Sequence, residues 1–218
     1  MGYITQGIPK DIVRQIATEN KIDNFVETGT YMGNTCFWAA AHFKNVYTIE
    51  IEPEISKNTA SRLKDIKNIK FLVGDSSKIL PDLLRDISGS TLFWLDGHYS
   101  GPSTGGIEFE CPLMQEIEAI STFDEPVILI DDARLFMGPL PEPHNSDQWP
   151  PIDEIFHALM TKFPNHSTTI HDDVIICIPK KMKYIIDRDW SNKFDQRYPI
   201  NHSSFIGKLK EKVIRFFK

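Results

Sequence analysis

Short apolar runs alternate with longer amphipathic ones through most of the chain. The runs at 24–27, 45–50, 69–73, 91–95 and 126–130 have the length and residue content of β-strands. Leu92-Phe93-Trp94-Leu95 and Val127-Ile128-Leu129-Ile130 are continuously apolar, as strands covered on both faces are. Helical patterns fill the spaces at 34–43, 54–64, 77–88 and 111–122, after a first helix over 11–19. This alternation predicts βαβ units and a parallel sheet. The ending differs: a helix is expected over 152–162, then two β runs at 167–170 and 174–178 flank His171-Asp172-Asp173. Two such runs separated by three polar residues form a hairpin, so the sheet should finish with an antiparallel strand. The expected fold class is therefore α/β, an open, mostly parallel doubly wound sheet with a C-terminal antiparallel hairpin.

Two stretches resist this reading. Residues 137–151 contain five prolines, which suggests a stiffened loop, either a lid beside a site or a plain surface excursion. Residues 184–199 are too mixed to assign. Beyond them, 205–218 carries five basic residues and one acid, with Ile206, Leu209, Val213 and Phe216 on one helical face. A basic amphipathic helix of this kind closes its own domain or an oligomer interface, or makes a peripheral contact with a partner or membrane surface.

Composition narrows the class. At 218 residues, with 41% apolar and 25% charged, the chain suits one domain with a full core and not disorder. A net charge of −6 argues against a general nucleic-acid binder. Cys36, Cys111 and Cys177 are scattered in apolar surroundings, which suggests reduced core thiols in a cytoplasmic protein. The N-terminus lacks a secretory pattern, Gln6 breaks the myristoylation rule, and no apolar run approaches a membrane span. A cytoplasmic enzyme is the expectation.

The chemistry gathers at predicted strand ends, where loops of an open parallel sheet converge on one crevice. The first strand runs into Glu27-Thr28-Gly29-Thr30-Tyr31-Met32-Gly33-Asn34-Thr35, a Glu-x-Gly-x-x-x-Gly turn. Its glycines allow close approach of a ligand without the pyrophosphate cradle of Gly-x-Gly-x-x-Gly, so a nicotinamide dehydrogenase ranks last. A ligand with a nucleoside end and an amino-acid end suits it, and S-adenosylmethionine is the expected cofactor. Glu50, about 20 residues past the glycines, is placed to accept both ribose hydroxyls. Asp75 and Ser76, ending the third strand, can read an adenine edge, although Asp-Ser-Ser also makes a good helix cap. The expected cofactor-binding set is thus Glu27, Gly29, Thr30, Gly33, Thr35, Glu50, Asp75, Ser76 and Asp96.

The fourth and fifth strands end in Asp96-Gly97-His98-Tyr99 and Asp131-Asp132. In the class I methyltransferase layout that this strand alternation resembles, the two strands are neighbours, so at about 4.8 Å they would bring three carboxylates together, an unfavourable arrangement that a hard cation such as Mg²⁺ relieves. Asp96, Asp131 and Asp132 are the candidate metal ligands. His98 has the pKa to take a proton from a hydroxyl. Arg134 can hold an anionic group of a substrate, though a surface ion pair is its commoner role. The glycine- and hydroxyl-rich stretch 99–106 suits a polyol.

Strand layout and motifs together resemble the class I methyltransferases. Asp96-Gly97-His98-Tyr99 with Asp131-Asp132 is similar to the metal and base arrangement of the metal-dependent macrocin O-methyltransferase type, which acts on sugar hydroxyls. The resemblance covers about residues 25–179 and leaves the long loop and the C-terminus unmatched. It implies Asp96, Asp131 and Asp132 as metal ligands, His98 as base, and a small-molecule or glycan-precursor acceptor. The rival readings are a related metal-dependent hydroxylase or hydrolase, and a non-catalytic adenosylmethionine-binding module.

Overall fold

A computed structural model describes residues 7–101, 106 and 108–197, with side chains through residue 194. The basic helix expected over 205–218 and half of the glycine-rich stretch 99–106 lie outside these residues. The elements are α1 (Lys10–Asn20), β1 (Asn24–Thr28), α2 (Asn34–Ala40), β2 (Asn45–Glu50), α3 (Pro53–Arg62), β3 (Ile69–Val73) and α4 (Ser76–Asp86). They continue as β4 (Thr91–Leu95), α5 (Leu113–Ile120), β5 (Val127–Ile130), α6 (Ile152–Lys162), β6 (His166–His171), β7 (Val174–Pro179) and α7 (Lys183–Arg197).

The seven strands form one sheet in the order β3-β2-β1-β4-β5-β7-β6. Strands β1 to β5 are parallel, and β7 enters antiparallel between β5 and β6. The order reverses between β1 and β4, so the ends of these two strands open a crevice where crossovers leave in opposite directions.

Alternation along each buried strand feeds two cores. Val26, Phe93, Leu95 and Ile128 pack on one face with Leu80 and Leu84 of α4, Ile117 of α5 and Leu159 of α6. Phe25, Leu92, Trp94 and Leu129 pack on the other with Ile12 and Ile16 of α1, Cys36 of α2 and Ile185 of α7. At about 25 cal/mol per Å² of apolar surface, this two-sided burial is the main force holding the sheet. All three cysteines are free and buried in it, and burial pushes the Cys36 thiol up to about 12.

The structure adjusts several expectations. Helix α2 stops at Ala40, and Phe43 reaches the core from the turn beyond, 5.1 Å from the Phe25 ring. The hairpin is longer than predicted, pairing His166 with Pro179 at one end and His171 with Val174 at the other. Helix α7 was not assignable because only its start is apolar: Ile185 and Ile186 are buried, while Trp190 is exposed. Among the described residues no helix is long and apolar enough to cross a membrane.

Candidate active site

The site begins where β1 meets β4. Gly29 has φ +83°, and a Cβ there would stand 2.3 Å from the carbonyl oxygen of Asp96. The two strand ends therefore approach backbone to backbone, and only glycine permits it. Gly33 has φ +66°, and a Cβ there would meet the Thr59 methyl at 2.4 Å. These two contacts explain the spacing of the motif: one glycine admits β4, the other admits α3.

Between them Tyr31 takes a left-handed φ of 42° and turns its amide toward β2. Its N–H donates to Glu50 Oε2 at 2.9 Å, and the Glu52 N–H donates to Oε1 at 3.1 Å. Each oxygen keeps a second lone pair for a ligand. Below, Thr48 donates to Glu27 at 2.7 Å and so accepts from Thr30, also at 2.7 Å. Glu27 is fully enclosed, and burial pushes its carboxyl up to about 8 despite bonds from Thr48 and Thr35. Glu27, Thr30 and Thr35 thus brace the turn from within.

A cavity of about 310 Å³ lies over these strand ends, at the lower end of the range for ligand pockets. Gly29, Glu50, Asp75, Ser76, Asp96 and His98 all line it, with Ile51 and Phe109 as apolar walls. Two expected ligand contacts are partly committed elsewhere. Asp75 caps α4, accepting from the Ser77 amide at 2.9 Å and its hydroxyl at 2.6 Å. Burial works against its charge, but Ser77 and Lys78 outweigh it and hold the carboxyl low. Ser76 spends its hydroxyl proton on Glu116, 2.6 Å away.

At the chemistry side, the Asp131 N–H donates to Leu95 O at 3.1 Å, which sets Asp131 beside Asp96. His98, 5% exposed in its side chain, places Nε2 3.2 Å from Asp132 Oδ2 and 4.0 Å from Asp96. Burial pushes Asp131 up to about 7, helped by the charges of Asp96 and Asp132. Burial likewise raises Asp96, to about 6, with His98 pulling the other way. Asp132 differs: burial is outweighed by His98 and Arg134, which hold its carboxyl below the usual range.

That arrangement lends the expected Mg²⁺ triad no support. Asp132 Oδ1 takes the Arg134 guanidinium at 2.7 Å while Oδ2 takes His98, and Asp131 Oδ1 takes the Asp132 amide at 2.8 Å. Arg134 also pairs with the buried Asp173, so it is a structural cation and not a free anion hook. Among the described residues no group of three or more His, Cys, Asp or Glu side chains is placed to hold a metal ion.

Glu116 was missed by the sequence reading. It is 1% exposed, and burial pushes it up to about 7 against bonds from Ser76 and Thr28. A signal existed, because it sits within the buried stripe Leu113, Glu116, Ile117 and Ile120 of α5. An acid on an apolar helix face needs partners, and here they are Ser76, which lines the cavity, and Thr28 at the end of β1.

No protein-family model matches the chain, and neither does any curated protein. Solved structures do match. A Staphylococcus aureus protein assigned as a caffeoyl-CoA O-methyltransferase superposes with a TM-score of 0.57 at 16% identity, covering 82% of this chain and 86% of its own. The SAH-bound methyltransferase PaMTH1 of Podospora anserina gives 0.53 at 16% identity, covering 77% of this chain and 76% of its own. The fold is that of the class I methyltransferases. The alternation of strands and helices and the terminal hairpin, both legible in the sequence, agree with this fold.

Proposed function

We propose that the protein transfers a methyl group from S-adenosylmethionine to a hydroxyl of a small polar, sugar-like acceptor. The observation that carries this reading is the close approach at Gly29, which lets the ends of β1 and β4 meet under a cavity bordered by Glu50. A side chain at Gly29 would fill that junction, and the lone pairs left on Glu50 suit the two hydroxyls of a ribose. SAH bound to PaMTH1, on the same fold, supports the choice of ligand.

Glu50 and the Gly29 turn would hold the nucleoside and amino-acid ends, with Asp75 near the base. When bound, adenosylmethionine supplies a methyl group on a sulfonium, already a good leaving group. The chain's own task is then orientation and removal of one proton. His98, steered by Asp132, is the base that takes the acceptor hydroxyl proton. The resemblance to macrocin-type enzymes favours a sugar hydroxyl. A divalent cation is no part of this reading, because the Arg134 guanidinium already offsets the charge of Asp132 and His98 bonds to its other oxygen.

Calorimetric titration with S-adenosylmethionine, before and after chelator treatment, tests it. Saturable binding, indifferent to chelator, is expected. Glu50→Ala should weaken it by roughly 10- to 100-fold, the value of a hydrogen bond to a charged group. Absence of binding with and without Mg²⁺ would sink the proposal.

A further inference from the structure

Glu110, between β4 and α5, is an acid only 3% exposed. Its carboxylate has three partners, all on the proline-rich segment: the Trp149 indole N–H at 2.7 Å, the Asn145 amide at 3.0 Å and His144 Nδ1 at 3.1 Å. Its backbone joins in, the N–H donating to Gln148 Oε1 at 2.7 Å and the carbonyl accepting from the Tyr99 N–H at 2.8 Å. A buried carboxylate needs such bonds, and the bonds in turn fix the groups that donate them.

Two of those groups reach the catalytic loop. The Trp149 ring centroid lies 5.2 Å from the His98 imidazole, edge to face, and 5.5 Å from Phe136. The His144 ring lies 5.5 Å from Trp149 and 5.8 Å from Tyr99. The proline-rich segment is therefore fastened as a wall, with Glu110 as the fastening.

We propose that Glu110 is a positioning residue for His98, acting through Trp149. The bond from His98 to Asp132 fixes one direction of the imidazole and leaves rotation about that axis. The Trp149 ring supplies the second constraint and sets the plane in which the other ring nitrogen meets an acceptor. This rests on the reading of His98 as the base, but its deciding readout, the His98 signal, needs neither cofactor nor acceptor.

The test is a proton–carbon spectrum of the full chain labelled at its seven histidines, with the His98 signal identified by its loss in His98→Asn. Trp149→Leu should remove the indole ring current and displace the His98 signal. Glu110→Ala should displace it in the same direction and about as far, and Glu110→Gln, which keeps one acceptor oxygen, by a fraction of that. Adenosylmethionine affinity should stay within about twofold of wild type in all three. A His98 signal unmoved in Glu110→Ala, or in the nearly isosteric Glu110→Gln if the alanine variant does not fold, overturns the proposal. So does a signal that Trp149→Leu leaves in place. Failure of the methyltransferase reading would show separately, as absence of adenosylmethionine binding by the wild type.

Discussion

The imidazole of His98 and the carboxylate of Asp132 stand 3.2 Å apart, joining the end of β4 to the end of β5. Burial disfavours a charge on His98, but the Asp132 bond and the charges of Asp96 and Asp131 outweigh it and raise the imidazole pKa. A raised histidine adds stability that is complete below about pH 6.5 and is lost as pH climbs through the folded value. Histidine resonances followed against pH should show His98 titrating above the ordinary range in wild type and lower in Asp132→Asn. Identical titrations in the two proteins would refute the coupling. Because a base must be neutral to accept a proton, methyl transfer should speed up as pH rises through the same value.

Buried acids produce a second pH dependence. Burial pushes Glu27 up to about 8 and Glu116 up to about 7. Above pH 4.5 or so the unfolded carboxyl is charged while the folded one keeps its proton, so rising pH favours unfolding until the folded group ionises. Urea midpoints should fall between pH 5 and pH 8. In Glu27→Gln, a near-isostere of the protonated acid, that fall should shrink. A variant with the full wild-type slope would show that Glu27 ionises normally.

Gly29→Ala tests the junction of β1 and β4. A methyl group 2.3 Å from the Asp96 carbonyl must push the strands apart, at positive φ. Overpacking of this kind costs roughly 1–3 kcal/mol. Denaturation should register that loss, and calorimetry should find adenosylmethionine binding abolished. Unchanged affinity would mean that the turn does not shape the ligand site.

Arg134→Ala removes the partner shared by Asp132 and the buried Asp173. The Arg134 side chain is 38% exposed, so solvent replaces part of the interaction, and a loss of roughly 1.5–3 kcal/mol is expected. The variant should also bind Mg²⁺ more tightly than wild type, since the carboxylates lose a counter-charge. Equal Mg²⁺ affinity in the two proteins would argue against Arg134 as the neutralising cation.

Much of what lines the candidate cavity was legible in the chain. Leu92 to Leu95 and Val127 to Ile130 announce buried strands because each is apolar on both faces. Gly29, Glu50, Asp75, Asp96 and His98 were located at strand ends, and the structure brings all five to one cavity. Ser76 was also located, but its hydroxyl turns to Glu116, a choice that depends on how α5 packs beside α4.

The sequence by itself determined the strands, their largely parallel run and the glycine turn, because periodicity and backbone freedom are properties of neighbouring residues. The tertiary structure alone decided the partners of the charged groups. Arg134 meets Asp173 across 39 positions, Ser76 meets Glu116 across 40, and Trp149 meets Glu110 across 39. Hydrogen bonds act over about 3 Å, so which acids are paired, and which stay protonated, is settled only when packing brings distant segments to that range.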